Sequence, residues 1–157
     1  MSRTVLILLV SALVMLGSFT NNIMVPSLPA LATDLRIGFG DAQAILSIYM
    51  VGFAAGQLFV GPMSDRFGRK PVLTVSFGLF IIASVLCSLA PDLYRLCSAR
   101  LLQALGASAT MSVGRAIVRY SFAFDKMARV YAYIGAALAL GPIVGPIFGG
   151  VIEVSSG

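Results

Sequence analysis

Five long apolar runs, joined by short polar links, limit this chain more than any other feature of its 157 residues. A helix needs about 20 predominantly apolar residues to cross roughly 30 Å of hydrocarbon. Five stretches meet that length: Val5 to Leu28, Ala42 to Met63, Pro71 to Ala90, Leu93 to Val118 and Val130 to Ile152. Lipid cannot satisfy backbone N–H and C=O groups, so runs of this length are read as α-helices. Composition agrees, with 59% apolar residues and only 11% charged, where a soluble domain carries about a quarter charged. The expected fold is an all-α membrane protein, a single membrane domain over residues 1–157. The spans are 5–28, 42–63, 71–90, 93–118 and 130–152, with charged links at 63–70 and 119–129.

Charge sets the direction. Arg3, Arg66, Arg69, Lys70, Arg115, Arg119, Lys126 and Arg129 fall on one side, and only Arg36 and Arg95 on the other. Eight against two places the N-terminus and the 63–70 link in the cytoplasm of a multi-pass plasma-membrane protein, and a bacterial inner membrane is expected. Arg3 followed by Val5–Leu16 also fits the start of a secretory leader. The run continues to Leu28 without a small-x-small site, so a retained span is expected. The net charge of +5 reflects the same loop bias rather than nucleic acid, because no basic stripe with interleaved aromatics is present. Histidine is absent, and Cys87 and Cys97 both sit inside apolar runs. A nucleophile–base pair, paired aspartates or a metal set is missing from the spans, so neither an enzyme nor a cofactor is expected.

The link "GPMSDRFGRK" puts four charges into six positions, Asp65 to Lys70. It lacks the spacing of either a phosphate-binding P-loop or a dinucleotide glycine loop. An ordinary membrane-surface loop would explain the charges, but the order of residue types suits a latch. Gly61 lets another helix approach the end of the second span. Asp65 lies one turn later, where a carboxylate can receive a helix N-terminus or an arginine. Gly68 permits a reversal, and Arg69 and Lys70 hold it at the lipid surface beside Arg66.

"GPMSDRFGRKPVL" resembles the G-x-x-x-D-R-x-G-R-K signature between helices two and three of the major facilitator superfamily. "SARLLQALGASAT" is similar to the helix-four pattern of its drug:proton antiporter branch, with Arg100, Gln103 and Gly106 in the key places. "GPIVGPIFGG" matches that branch's helix-five motif at Gly141, Gly145, Pro146, Gly149 and Gly150. "NNIMVPSLPALATDL" has the P-x-L-P-x-L ending of its bicyclomycin-resistance-like multidrug efflux members. The resemblance implies a transporter of two six-helix halves, each made of 3+3 inverted repeats, with substrate bound between them. It implies export of small organic, often cationic or amphipathic, compounds in exchange for protons. It gives Arg100 a part in proton transfer or its coupling, and makes the fifth span a pivot.

An arginine inside a span costs about 2.5–3.5 kcal/mol on insertion scales, so it normally faces a cavity or a partner. Arg100 lies some five residues inside the outer end of its span, so snorkelling to the interface also stands as a reading. Gln103 and Thr110 share its helix face, and this polar strip favours a water-filled pathway. Asn22 and Gln57 complete the candidate cavity set. In many relatives an embedded acid stands near the place of Asn22, whereas Asp34, Asp41, Asp65, Asp92, Asp125 and Glu153 here all fall at span ends or in links. Gly141, Gly145 and Gly149 recur every four residues and make one smooth helix groove.

Five spans supply one three-helix repeat and two-thirds of the next, so the chain reads as the N-terminal portion of a drug-efflux transporter. Its expected partners are the bilayer, a small organic substrate with protons, and the C-terminal half or another membrane protein. The alternative is a truncated, transport-inactive remnant or interaction subunit that pairs through an exposed Gly141–Gly149 groove.

Overall fold

The computed structural model describes the backbone of residues 3–156, and side-chain surroundings over residues 5–148 and at 150 and 151. Six helices follow in order: α1 Arg3–Asn22, α2 Leu28–Asp34, α3 Phe39–Phe67, α4 Arg69–Ser88, α5 Leu93–Ser121 and α6 Phe124–Ser156. All but α2 contain a stretch long and apolar enough to cross a membrane. No strand occurs among the described residues. The protein is an all-α, multi-pass membrane protein.

The first apolar run is not one helix to Leu28, as its hydropathy suggested. Pro26 has no N–H, and its ring disfavours helical geometry at Val25. The chain therefore leaves α1 at Asn22, and the Val25 N–H donates to the Asn22 carbonyl at 3.3 Å in a tight turn. Pro29 then fits the first turn of α2, where a missing donor costs nothing. Arg36 closes α2 with φ 53°. There the Ile37 N–H returns to the Ala32 carbonyl at 3.0 Å and the Arg36 N–H to Thr33 at 3.2 Å, a Schellman cap built on a non-glycine residue.

The charged links are also shorter than expected. Residues 63–70 are not a loop, because α3 continues to Phe67 and α4 begins at Arg69. Only Gly68 stands between them, at φ 90° and ψ 154°, a conformation that costs glycine little. Likewise 119–129 narrows to Phe122 and Ala123. A 29-residue helix spans about 43 Å at 1.5 Å per residue, more than the hydrocarbon core. A helix of that length reaches past the hydrocarbon at its ends, where charged residues can remain helical because water reaches their side chains and the terminal carbonyls.

The centre of the bundle is α5. Its apolar window is 56% buried, against 11–28% in the other four spans. Small residues let α3 and α4 come close to it. A Cβ built on Gly106 would lie 2.7 Å from both the Phe80 nitrogen and the Ser76 oxygen of α4. One on Gly52 would lie 2.8 Å from Leu101 Cδ1. On the other side α6 packs against α1, and Val10, Val14, Val118, Phe122, Val130 and Ile134 form the apolar cluster joining α1, α5 and α6. Lipid tails are as apolar as leucine, so this close packing, rather than escape from water, holds the helices together.

Candidate functional site

Arg100 points inward. It is 4% exposed, which removes the snorkelling reading. Its Nη1 donates to Gln103 Oε1 at 2.7 Å one turn further along α5. The Gln103 Nε2 donates in turn to Ser84 Oγ of α4 at 2.8 Å, and that hydroxyl donates to the Phe80 carbonyl at 2.7 Å. The second terminal nitrogen, Nη2, meets Met24 Sδ from the turn after α1. The guanidinium carbon lies 5.0 Å from the centre of the Tyr49 ring on α3. Arg100 Nε is buried without a partner among the described residues. Four segments thus converge on one buried cation.

Tyr49 connects this cluster to an adjoining cavity. Its hydroxyl donates to the Gly17 carbonyl of α1 at 3.1 Å, and its ring stacks on Phe53 at 6.2 Å between centroids. Both aromatic residues line a cavity of about 250 Å³ bounded by α1, α3, α5 and α6. Ser18, Asn21 and Asn22 supply its polar wall, and Met111 and Leu138 are among the apolar residues opposite. Asn22 is half-buried, and its Nδ2 donates to the Ser18 carbonyl at 2.7 Å. Asn21 is more deeply buried, and its Oδ1 has no partner among the described residues.

Gln57 takes no part in the Arg100 hydrogen bonds. It is half-buried, and its backbone carbonyl accepts from Ser112 Oγ at 3.4 Å. Thr110 closes on its own helix by donating to the Ala107 carbonyl at 2.7 Å, so the expected polar strip on α5 stops at Gln103. Neither Asn21, Tyr49 nor Ser84 was among the sequence candidates. For Asn21 a signal existed: Val14, Gly17, Ser18 and Asn21 fall at i, i+3, i+4 and i+7, the spacing of one helix face.

At the end of the bundle holding Gly68, a second cavity of about 290 Å³ brings Gly61 and Asp65 together with Arg115, Arg119 and Tyr131. Arg69 lies 4.1 Å above the Tyr120 ring, which ties the start of α4 to the end of α5, and Arg66 lies 5.4 Å from the Phe67 ring. Asp65 and Lys70 are exposed. Nothing comes within 4 Å of a Cβ built on Gly61. The close helix approach expected at Gly61 is therefore not made by any described part of this chain.

The Major Facilitator Superfamily profile matches residues 7–157. The chain belongs to that superfamily. Among curated relatives, it is 36% identical over 150 residues to the uncharacterized MFS-type transporter YdgK of Bacillus subtilis, covering 96% of this chain and 37% of YdgK. It is 30% identical over 150 residues to the riboflavin transporter RibZ of Clostridioides difficile, covering 96% of this chain and 33% of RibZ. It is 36% identical over 144 residues to the multidrug resistance protein MdtL of Escherichia coli O81, covering 92% of this chain and 37% of MdtL. The chain spans about a third of the length of these relatives.

Within the superfamily fold, the helix-five glycines act inside this bundle. A Cβ on Gly145 would lie 2.8 Å from Asn22 Cβ, and one on Gly141 would lie 3.1 Å from Ser18 Cβ. The groove proposed as an exposed pairing surface is filled by α1, because only residues without side chains allow that approach. Pro146 is half-buried, and no described residue lies within 4 Å of a Cβ built on Gly150. The surroundings of Gly149 lie outside the described residues.

Proposed function

We propose that this chain forms the N-terminal part of a transporter that exports small organic compounds in exchange for protons. The cavity between α1, α3, α5 and α6 would be its half of the substrate site. The observation that carries this reading is the junction at Tyr49, where a buried arginine cluster adjoins a cavity with an asparagine wall. A cation placed that deep is costly in lipid, and such residues mark transport pathways. The relatives' names, multidrug resistance protein for MdtL and riboflavin transporter for RibZ, support small organic compounds as the substrate class.

In this reading Arg100 and Gln103 couple substrate to protons, and Asn22 and Gln57 flank the path. Gly61, Asp65, Arg66, Gly68, Arg69 and Lys70 form the cytoplasmic latch that receives the second half of the transporter. The N-terminus faces the cytoplasm of a bacterial inner membrane, by the positive-inside bias. Every acid among residues with described side chains lies at a helix end or turn, so the proton-carrying carboxylate would come from the second half.

The test uses inside-out vesicles containing the whole protein that carries this chain, with an acid lumen and a lumenal pH dye. A panel of amphipathic aromatic compounds is added one by one. At least one should discharge the gradient, vesicles lacking the protein should not respond, and Arg100→Ala should remove the response. If no compound discharges the gradient, the antiport reading fails.

A further inference from the structure

The cavity at the end that carries Gly68 is open and positively charged. Arg115 and Arg119 stand four residues apart on α5, so they share one helix face, and both line this cavity. Both are exposed, and neither makes a hydrogen bond or ion pair among the described residues. Asp65 lines the same cavity but pairs with neither. Arg69 adds a third cation at the rim, 4.1 Å above the ring of Tyr120, which is itself part of the lining. Three arginines against one aspartate leave the site a net charge of +2.

The positive-inside bias explains the sign of these residues, but it does not require two of them to face one cavity. Like charges one turn apart on a helix repel, so an arginine pair without an acid suits an anion supplied from outside. Guanidinium forks match the oxygens of a phosphate in geometry as well as charge. The surroundings favour a phosphate carried by lipid. Phe67 and Phe124 are exposed at helix ends on this side of the bundle, and aromatic rings gather at the level of the headgroups. The two walls, α3 and α6, make no close approach among the described residues, which leaves the space over α5 open.

We propose that this cavity binds an anionic phospholipid with a glycerol headgroup, its phosphate held between Arg115 and Arg119. The headgroup hydroxyls supply uncharged donors for Asp65. The ammonium of a zwitterionic lipid would instead add a cation beside three arginines. Lipid binding here does not depend on which substrate is carried or on proton coupling.

The test is thermal unfolding of the whole protein that carries this chain, in a neutral detergent so that no anionic surface contributes. Dioctanoyl phosphatidylglycerol, dioctanoyl phosphatidylcholine and inorganic phosphate are titrated separately. Only phosphatidylglycerol should raise the unfolding temperature, and native mass spectrometry should find it retained. Arg115→Gln and Arg119→Gln should each weaken its apparent affinity by about tenfold. Lys126→Gln removes an exposed charge outside the cavity lining and should leave that affinity unchanged. Arg119→Lys keeps the charge without the fork, so it should fall between the wild type and Arg119→Gln. That variant keeps the test decisive if the glutamine variants do not fold.

No stabilisation by phosphatidylglycerol, or an equal effect of phosphatidylcholine, would overturn the proposal. An equal effect of inorganic phosphate would overturn the lipid as the source and leave a soluble phosphate on the arginines. Binding that survives both glutamine variants, or that falls as far in Lys126→Gln, would reduce the site to general surface charge. Glutamine variants that lose stability without lipid, in a protein indifferent to phosphatidylglycerol, would assign the arginines to a carboxylate elsewhere in the whole protein.

Discussion

Arg100 shows what one charged side chain demands of its neighbours in a lipid-spanning bundle. Gln103 occupies one terminal nitrogen and is itself held by Ser84, so the guanidinium is fixed by a chain of hydrogen bonds across α5 and α4. Removing the middle of that chain should be felt. Gln103→Leu leaves Arg100 Nη1 without its acceptor and should lower stability by about 1.5–3 kcal/mol, read as a fall in thermal unfolding temperature. Gln103→Glu supplies a charged acceptor in the same place and should not show that loss. An unchanged transition in Gln103→Leu would mean that water or lipid replaces the contact. At the opposite extreme of burial, Arg36 holds a left-handed conformation that glycine adopts freely. Arg36→Gly should stabilise the α2 cap by about 1 kcal/mol, visible as slower amide exchange at Ile37. Of this residue-level chemistry, the sequence makes Arg100 and Gln103 legible, because three-residue spacing puts them on one helix face. Ser84, Tyr49 and Met24 are not legible in that way. They come from other helices, whose rotation about their axes no local pattern reveals.

Helix pairing shows a regularity that explains the glycines. The first three-helix unit is α1, α3 and α4, and α5 and α6 begin the second. Gly52 and Gly56 of α3 press on α5, while Gly141 and Gly145 of α6 press on α1. The middle helix of each unit thus packs on the first helix of the other, with a four-residue pair of glycines at each contact. Glycines that make such contacts should be irreplaceable, and those that do not should tolerate a side chain. Gly106→Leu drives atoms into the α4 backbone and should cost several kcal/mol, above the ~1–3 kcal/mol of ordinary overpacking, because backbone cannot rotate aside. Gly78→Ala meets nothing within 4 Å and should gain roughly 0.5–1 kcal/mol from helix propensity. Unfolding curves of the two variants check both signs. The spans themselves were plain in the hydropathy, since lipid demands length and apolarity. Their ends were less so. Residues 63–70 read as a loop because they are charged, yet charge does not stop a helix that has already left the hydrocarbon. Gly68, Pro26 and Pro29 are the residues that do set ends here. The glycine contacts could not be ranked from sequence, because Gly61 and Gly78 look no different from Gly52 and Gly106 until neighbours are placed.

For the whole molecule, one cavity lies between α1, α3, α5 and α6 and another at the end that carries Gly68. α5 packs against α3 and α4 and, through α1, joins α6, and the first cavity lies where α1, α3, α5 and α6 meet, beside the Tyr49–Gly17 hydrogen bond. Gly61 and Asp65 lie beside Arg115 and Arg119 at the end that carries Gly68, and no described residue packs on Gly61. If the second half of a transporter docks there, Gly61→Leu in the whole protein should leave folding intact and abolish transport. Equal transport by wild type and variant would exclude Gly61 from the latch. If the α1–α3–α5–α6 cavity opens to water as part of a transport path, a water-soluble reagent should reach its wall. Cysteine labelling measures this after Cys87 and Cys97 are replaced by serine. Leu138→Cys, in the cavity wall, and Ile82→Cys, on the exposed face of α4, are treated in intact vesicles with a water-soluble, membrane-impermeant maleimide. Labelling at 138 but not at 82 is the expected result. No labelling at 138 from either side of the membrane would contradict a water-filled path through this cavity.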